Sequence, residues 1–194
     1  MTLRTSLSAL FAGTTLILSL ACGGGGGGGG TTTTPPAPPA TTLAYTDPTS
    51  GMYQVKKNAG LSTSTHLVLD VVGAGAPNGA GLAFTLTADA TRLTWTKVAL
   101  ADAEYIQNGA VLTLGSAPLP LKGKVSGSTL VGGLGQKGLG GSVALNGVLA
   151  RFAVDLKASA PKGTAALAQT KAQVLQSDGT ISAITLTFGT LSAN

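Results

Sequence analysis

The sequence predicts an all-β protein, an antiparallel sandwich of about nine short strands. Three observations carry that expectation. Apolar residues alternate with a period of two in several stretches, most clearly 81–98 and 148–156, which puts one apolar row on one face of a strand. Clusters of Gly, Pro, Asn and Asp recur about every ten residues and read as turns. No long stretch carries the periodicity of a helix.

In chain order, the folded part starts near Thr42, and Met52–Lys56 (MYQVK) is the first candidate strand. His66–Val72 is clearer, with Leu67, Leu69 and Val71 on one face and His66, Val68 and Asp70 on the other. Gly73–Gly79 is a loop by composition. Gly81–Val98 (GLAFTLTADATRLTWTKV) reads as two strands flanking the polar turn Ala88–Thr91, and the rest of the domain is expected to pack on this pair. Val111–Leu114 is another candidate. Residues 115–147 hold ten glycines among the short apolar runs Leu119–Leu121, Thr129–Val131 and Ser142–Leu145, which predicts short strands and wide loops.

Val148–Leu156 alternates, with Val148, Ala150, Phe152, Val154 and Leu156 expected inward. Ala160–Gly163 is a turn, and Ser177–Thr180 a hairpin turn between strands. Thr164–Ala168 and Gln173–Gln176 are candidate strands, and Ile184–Phe188 closes the domain. Ala165–Gln176 also has the composition of a helix; Val174 and the surrounding strands argue for β.

Only 10% of the 194 residues are charged, and aromatics make up 4%. The apolar content is mostly Ala, Leu and Val, so the core is built from small side chains. The net charge is +5, yet the cations are scattered, with only Lys56 and Lys57 adjacent and Lys122 and Lys124 alternate. Nucleic-acid binding needs clustered cations with stacking aromatics, and no nucleic-acid partner is expected.

The N-terminal segment has its own logic. Arg4 precedes an apolar run from Leu7 to Leu20, and Ser19-Leu20-Ala21 leads into Cys22, the one cysteine of the chain. This resembles a bacterial lipoprotein signal, although Ser19 stands where such signals prefer leucine. The resemblance implies removal of residues 1–21 and lipid on Cys22, hence attachment to a membrane of the bacterial envelope, with the outer membrane or cell surface expected. Gly23–Gly30 and the Thr/Pro run to Ala40 bury nothing. They form a flexible coil of about 15 Å and a stiffer rod of about 30 Å. The expected organisation is a signal over 1–21, a lipid-anchored linker over 22–41 and a sandwich domain over 42–194.

The order of features in the domain resembles the cohesin type, a jelly-roll sandwich related to some carbohydrate-binding modules. The likeness lies in GLAFTLTADATRLTWTKV, in VLARFAVDLKASAPKGTAAL and in the terminal DGTISAITLTFGTLS, together about a third of the chain. Residues 115–147 depart from it in their glycine content. The resemblance implies a non-catalytic binding module that docks a protein or a polysaccharide outside the cytoplasm; no family binding residue is carried over. The alternatives are a carbohydrate-binding lipoprotein or polysaccharide-degrading accessory, and a structural or adhesive surface protein.

The residues offer little chemistry of other kinds. His66 is the one histidine. Asp70 shares its strand face about 13 Å away, too far to orient it as a catalytic base, so a strand histidine with no catalytic role is expected. No His/Cys pair can hold zinc. Asp89 and Asp178 fit turns. Asp102 and Glu104 lack the alternating oxygen ligands of a calcium loop. Gly133–Gly138 matches GxGxxG without the strand–helix context of a nucleotide fold. No enzyme activity, cofactor, metal or nucleotide is therefore expected. Tyr53, Trp95 and Tyr105 are the candidate ligand-binding residues, because exposed rings stack on sugars; Trp95 shares a face with Leu93, which argues for the core.

Overall fold

The computed structural model describes residues 36–113, 122–135 and 142–194. The expected signal over 1–21, Cys22 and most of the expected linker, the apolar run Leu119–Leu121 and the second half of the GxGxxG run lie outside the described residues. No helix among the described residues is long and apolar enough to cross a membrane.

The described residues form fifteen strands in three sheets. The first sheet has the order Leu186–Thr187 (β14), Tyr53–Lys57 (β2), His66–Gly73 (β3), Gly147–Leu156 (β10) and Leu93–Thr96 (β5), with Ile106–Asn108 (β6) also pairing β10. The second has the order Ile181–Ala183 (β13), Leu167–Gln176 (β12), Asn78–Ala88 (β4), Thr129–Gly135 (β8) and Lys122–Ser126 (β7), with Val143–Ala144 (β9) against β4. Leu43–Thr46 (β1), Thr190–Ala193 (β15) and Gly163–Ala165 (β11) make a small third sheet. Every pairing is antiparallel except that of β14 with β2.

The two large sheets pack face to face because each strand offers one apolar row. Leu67, Leu69 and Val71 of β3 and Phe152 and Val154 of β10 meet Leu82, Phe84 and Leu86 of β4 and Leu130 and Leu134 of β8 in one core. Phe152 is its centre. Its ring lies 6.0 Å from that of Phe84 in the opposite sheet and 5.8 Å from that of Trp95, the latter edge-on. Such geometries add about 0.5–1.5 kcal/mol per pair beyond area burial.

The stretch 81–98 forms two strands, but they do not pair with each other. β4 lies in the second sheet and β5 in the first. The cause is the turn. Leu93 N donates to Asp89 O at 2.8 Å, and the Asp89 carboxylate accepts from Thr91 N and from the Thr91 hydroxyl. One helical turn carries the chain across the core, where a tight hairpin would fold it back on its own sheet. Arg92 holds this corner in place, bonding Asp89 Oδ2 at 2.7 Å and Pro161 O at 3.1 Å.

Other elements also differ from the sequence pattern. The register of β10 slips between Val148 and Ala150, so Leu149 is the extra residue of a bulge. Leu149 is fully buried and Val148 is only half-buried, the reverse of strict alternation. Leu167–Gln176 is one ten-residue strand, and no helix forms there. After Tyr105 the strand is Ile106–Asn108; Val111–Thr113 is irregular, although Leu112 is buried. The fold also reaches N-terminal of Thr42, since Ala40 N donates to Ala160 O at 2.8 Å and Thr41 N to Asn194 O at 2.6 Å. The strand count exceeds the expected nine, and five of the fifteen strands are ladders of only two or three residues.

Candidate functional site

A sandwich has two outer faces, and in this chain they differ. On the first sheet the outer face is occupied by the chain's own groups. Asp70, 8% exposed, accepts from Arg151 Nε at 2.8 Å and from Asn58 Nδ2 at 3.0 Å. His66 Nδ1 meets Asp155 Oδ1 at 2.6 Å, and its Nε2 faces Val98 O at 3.3 Å. The segment after β5 lies over this face: Val98 packs on Val68 and Ala153 as a second small cluster. Asp102 ties the segment down, accepting from Ala99 N and Gln107 Nε2.

His66 thus has a carboxylate neighbour, Asp155, its register partner on β10. The distant Asp70 of its own strand is not that neighbour. Sequence spacing along one strand cannot reveal a cross-strand partner. The pair is not a nucleophile-activating device, because the far nitrogen meets a backbone carbonyl where a hydroxyl would have to stand.

The outer face of the second sheet is open. Pairing sets its rows. Lys171, Thr85, Val131 and Lys124 lie side by side across β12, β4, β8 and β7. The next row is Ala183, Gln173, Ala83, Gly133 and Lys122, and the next Ile181, Leu175, Gly81 and Gly135. Val131 is 50% exposed and Ile181 66%. Two adjoining depressions of ≈ 320 and ≈ 200 Å³ share Ala83 and Gln173. The face is an apolar, nearly ring-free floor with lysines at its sides.

The glycines of β8 shape that floor. A Cβ on Gly132 would stand 2.5 Å from Phe84 Cε2 and 2.6 Å from its Cζ. The ring occupies the space a side chain would need, and this glycine is a packing requirement. Gly133 faces the other way, and a Cβ there would meet nothing within 4 Å. Glycine weakens a strand interior, so at Gly133 the fold gains nothing from it. What it leaves is open space at the centre of the face.

Of the three candidate rings, Tyr53 and Trp95 lie inward on strands far apart in the first sheet. Tyr53 is 3% exposed on the inner face of β2, and Trp95 6% exposed on the inner face of β5. The two strands are separated by β3 and β10, about 14 Å. The Trp95 indole N–H donates to Ser128 O at 2.7 Å, as a buried indole requires. Tyr105 is partly buried against the core. The burial of Tyr53 and Trp95 takes both out of any exposed stacking platform, because a small-residue core with few aromatics recruits the rings it has. Among the described residues, no group of three or more His, Cys, Asp or Glu side chains is gathered as metal ligands.

No protein-family model matches the sequence, and no curated protein sequence matches it. Solved structures do match in shape. One is a type I cohesin–dockerin complex from Clostridium thermocellum, 12% identical with a TM-score of 0.52, the match covering 77% of this chain and 97% of that one. A second is a type II cohesin–X-dockerin complex from Acetivibrio cellulolyticus, 13% identical with a TM-score of 0.54, covering 70% and 93%. A third is a type II cohesin domain from the cellulosome of the same organism, 10% identical with a TM-score of 0.53, covering 71% and 91%. The fold is the cohesin fold. At these identities the likeness is one of backbone course, and the jelly-roll sandwich expected of the cohesin resemblance is present.

Proposed function

We propose that this chain is a non-catalytic docking module that binds a protein through the outer face of its second sheet. The observation that carries the reading is the contrast between the faces. One is closed by ion pairs and a packed segment, and the other exposes Val131 and Ile181 around an Ala/Gly floor with a vacant position at Gly133. Apolar centres with polar rims suit protein docking. Two of the similar structures are complexes with dockerins, which supports a protein as the ligand class. Sugar stacking lacks exposed rings on this face.

The module works outside the cytoplasm in this reading, held to an envelope membrane by lipid on Cys22 and spaced from it by the Gly/Thr/Pro linker. Support comes from the apolar run ending at the one cysteine and from the low-complexity sequence after it.

The test uses the full chain as bait for an envelope extract, alongside Gly133→Phe and Val131→Asp on the proposed face and Lys56→Glu on the opposite one. A protein retained by wild type and Lys56→Glu, and lost with both face variants at unchanged stability, supports the reading. A ligand held equally by all four, or glycan binding that survives Gly133→Phe, contradicts it.

A further inference from the structure

The open face carries charge of one sign. Lys124 and Lys171 end one row and Lys122 begins the next, so cations stand on both edge-side strands of an apolar floor. Across four strands Lys171 and Lys124 are about 14 Å apart, roughly the width of an α-helix with its side chains. None of the three ammonium groups pairs with a carboxylate among the described residues. Residues 114–121 and 136–141, which flank β7 and β8 in sequence, contain no Asp or Glu.

The seven acids of the chain are engaged elsewhere. Asp47 accepts from Lys57 N, Asp70 from Arg151, and Asp89 from Thr91 and Arg92. Asp102 bonds Ala99 and Gln107, and Asp155 bonds His66. The remaining two approach the face only at its margins. Glu104 accepts from Gly123 N at the β7 edge and forms no ion pair with Lys122 or Lys124. Asp178 bonds Thr180 within the β12–β13 turn, past the Leu175–Ile181 pair.

Resting on the docking reading above, we infer that the partner is an acidic protein segment, an apolar ridge flanked by Asp or Glu on both sides. The ridge lies over Ala83, Gly133 and Val131, and its carboxylates reach Lys171 on one side and Lys122 and Lys124 on the other. A basic or neutral ridge of the same shape leaves the lysines unpaired or repelled. Complementary rim charges of this kind set partner choice and association rate more than raw affinity.

The experiment selects binders from a display library of random peptides against the full chain, then against a Lys122→Glu/Lys124→Glu/Lys171→Glu variant. Both proteins are first shown to unfold at the same denaturant concentration. Peptides enriched on wild type are expected to carry Asp or Glu flanking apolar residues. They lose affinity about a hundredfold on the triple variant, and the triple variant selects Lys- and Arg-flanked peptides instead. Binders without acidic enrichment that are lost with Gly133→Phe overturn the charge inference and leave the docking reading standing. Binders indifferent to both Gly133→Phe and the triple variant, or no binders, overturn both. Vesicles of anionic phosphatidylglycerol form a separate arm: sedimentation of wild type and not of the triple variant, with no acidic peptide selected, assigns the lysines to a membrane surface and overturns the inference.

Discussion

Gly132→Ala places a methyl group where the Phe84 ring already is. The added Cβ would stand 2.5, 2.6 and 3.2 Å from three atoms of that ring, far inside van der Waals contact. The ring cannot swing away freely, because Phe152 lies 6.0 Å behind it with Trp95 beyond. Overpacking of this kind costs about 1–3 kcal/mol, offset by a few tenths because alanine is less costly than glycine in a strand. The net expectation is a loss of about 2 kcal/mol, a fall in Tm of about 4–8 °C. Phe84→Leu removes the ring edge and alone costs about 1 kcal/mol. In that background Gly132→Ala costs less than about 0.5 kcal/mol, a coupling of roughly 1.5 kcal/mol. Guanidinium unfolding of the four proteins measures the cycle. Strict additivity, within about 0.5 kcal/mol, would refute the claim that Phe84 is what keeps this position a glycine.

Three further outcomes follow from the geometry. The Tyr45 hydroxyl donates to Val55 O and accepts from Gly189 N, each at 2.7 Å, so Tyr45→Phe destabilises by about 1–3 kcal/mol, read from the unfolding midpoint. Burial raises the Tyr45 pKa from 10.0 to about 12; the neutral phenol stabilises the fold fully below pH 10 and that stability is lost as pH rises towards 12, so a pH series on Tyr45→Phe should show a smaller loss, the remainder coming from Tyr53, whose pKa burial also raises. The hydrogen bond from the Thr91 hydroxyl, then that of Arg92, holds Asp89 below its ordinary 3.8; its contribution is present above that value and is lost as pH falls below it, and Asp89→Asn should flatten this part of the acid-unfolding curve. Wild type expressed in a bacterium with a lipoprotein pathway partitions with membranes in the proposed reading, while Cys22→Ala loses the lipid by mass spectrometry; a mature chain that retains residues 1–21 would sink the assignment.

Much of the strand content was legible because alternation survives in short windows. His66–Val72, Gly81–Ala88 and the turns at Asp89 and Asp178 lie where apolar spacing and turn residues put them. But β4 begins three residues early, at Asn78 within the stretch read as a loop, and the turn before β11 spans Lys157–Ala160, ahead of the expected Ala160–Gly163. Sheet membership was not legible. Leu93 and Trp95 make as good an inward row for either sheet, and only the helical turn at Asp89 sends them to the first. The bulge at Leu149 is equally silent, since Val148 and Leu149 are both apolar. The candidate face depends on register between strands far apart in sequence. Lys122-Gly-Lys124 shows its alternation, but nothing in it says that Lys171 joins the same row. Gly132 and Gly133 look alike in sequence, yet one is filled by a ring and the other faces open space.

In the proposed reading the second sheet's outer face meets the partner. Methyl NMR of the full chain, titrated with the protein it captures, tests this directly. The account predicts shifts at Ala83, Val131, Leu175 and Ile181, with Val68 and Val72 of the first sheet's outer side unchanged. Shifts confined to Val68, Val72 and Val98, with Val131 and Ile181 unmoved at saturation, would contradict it.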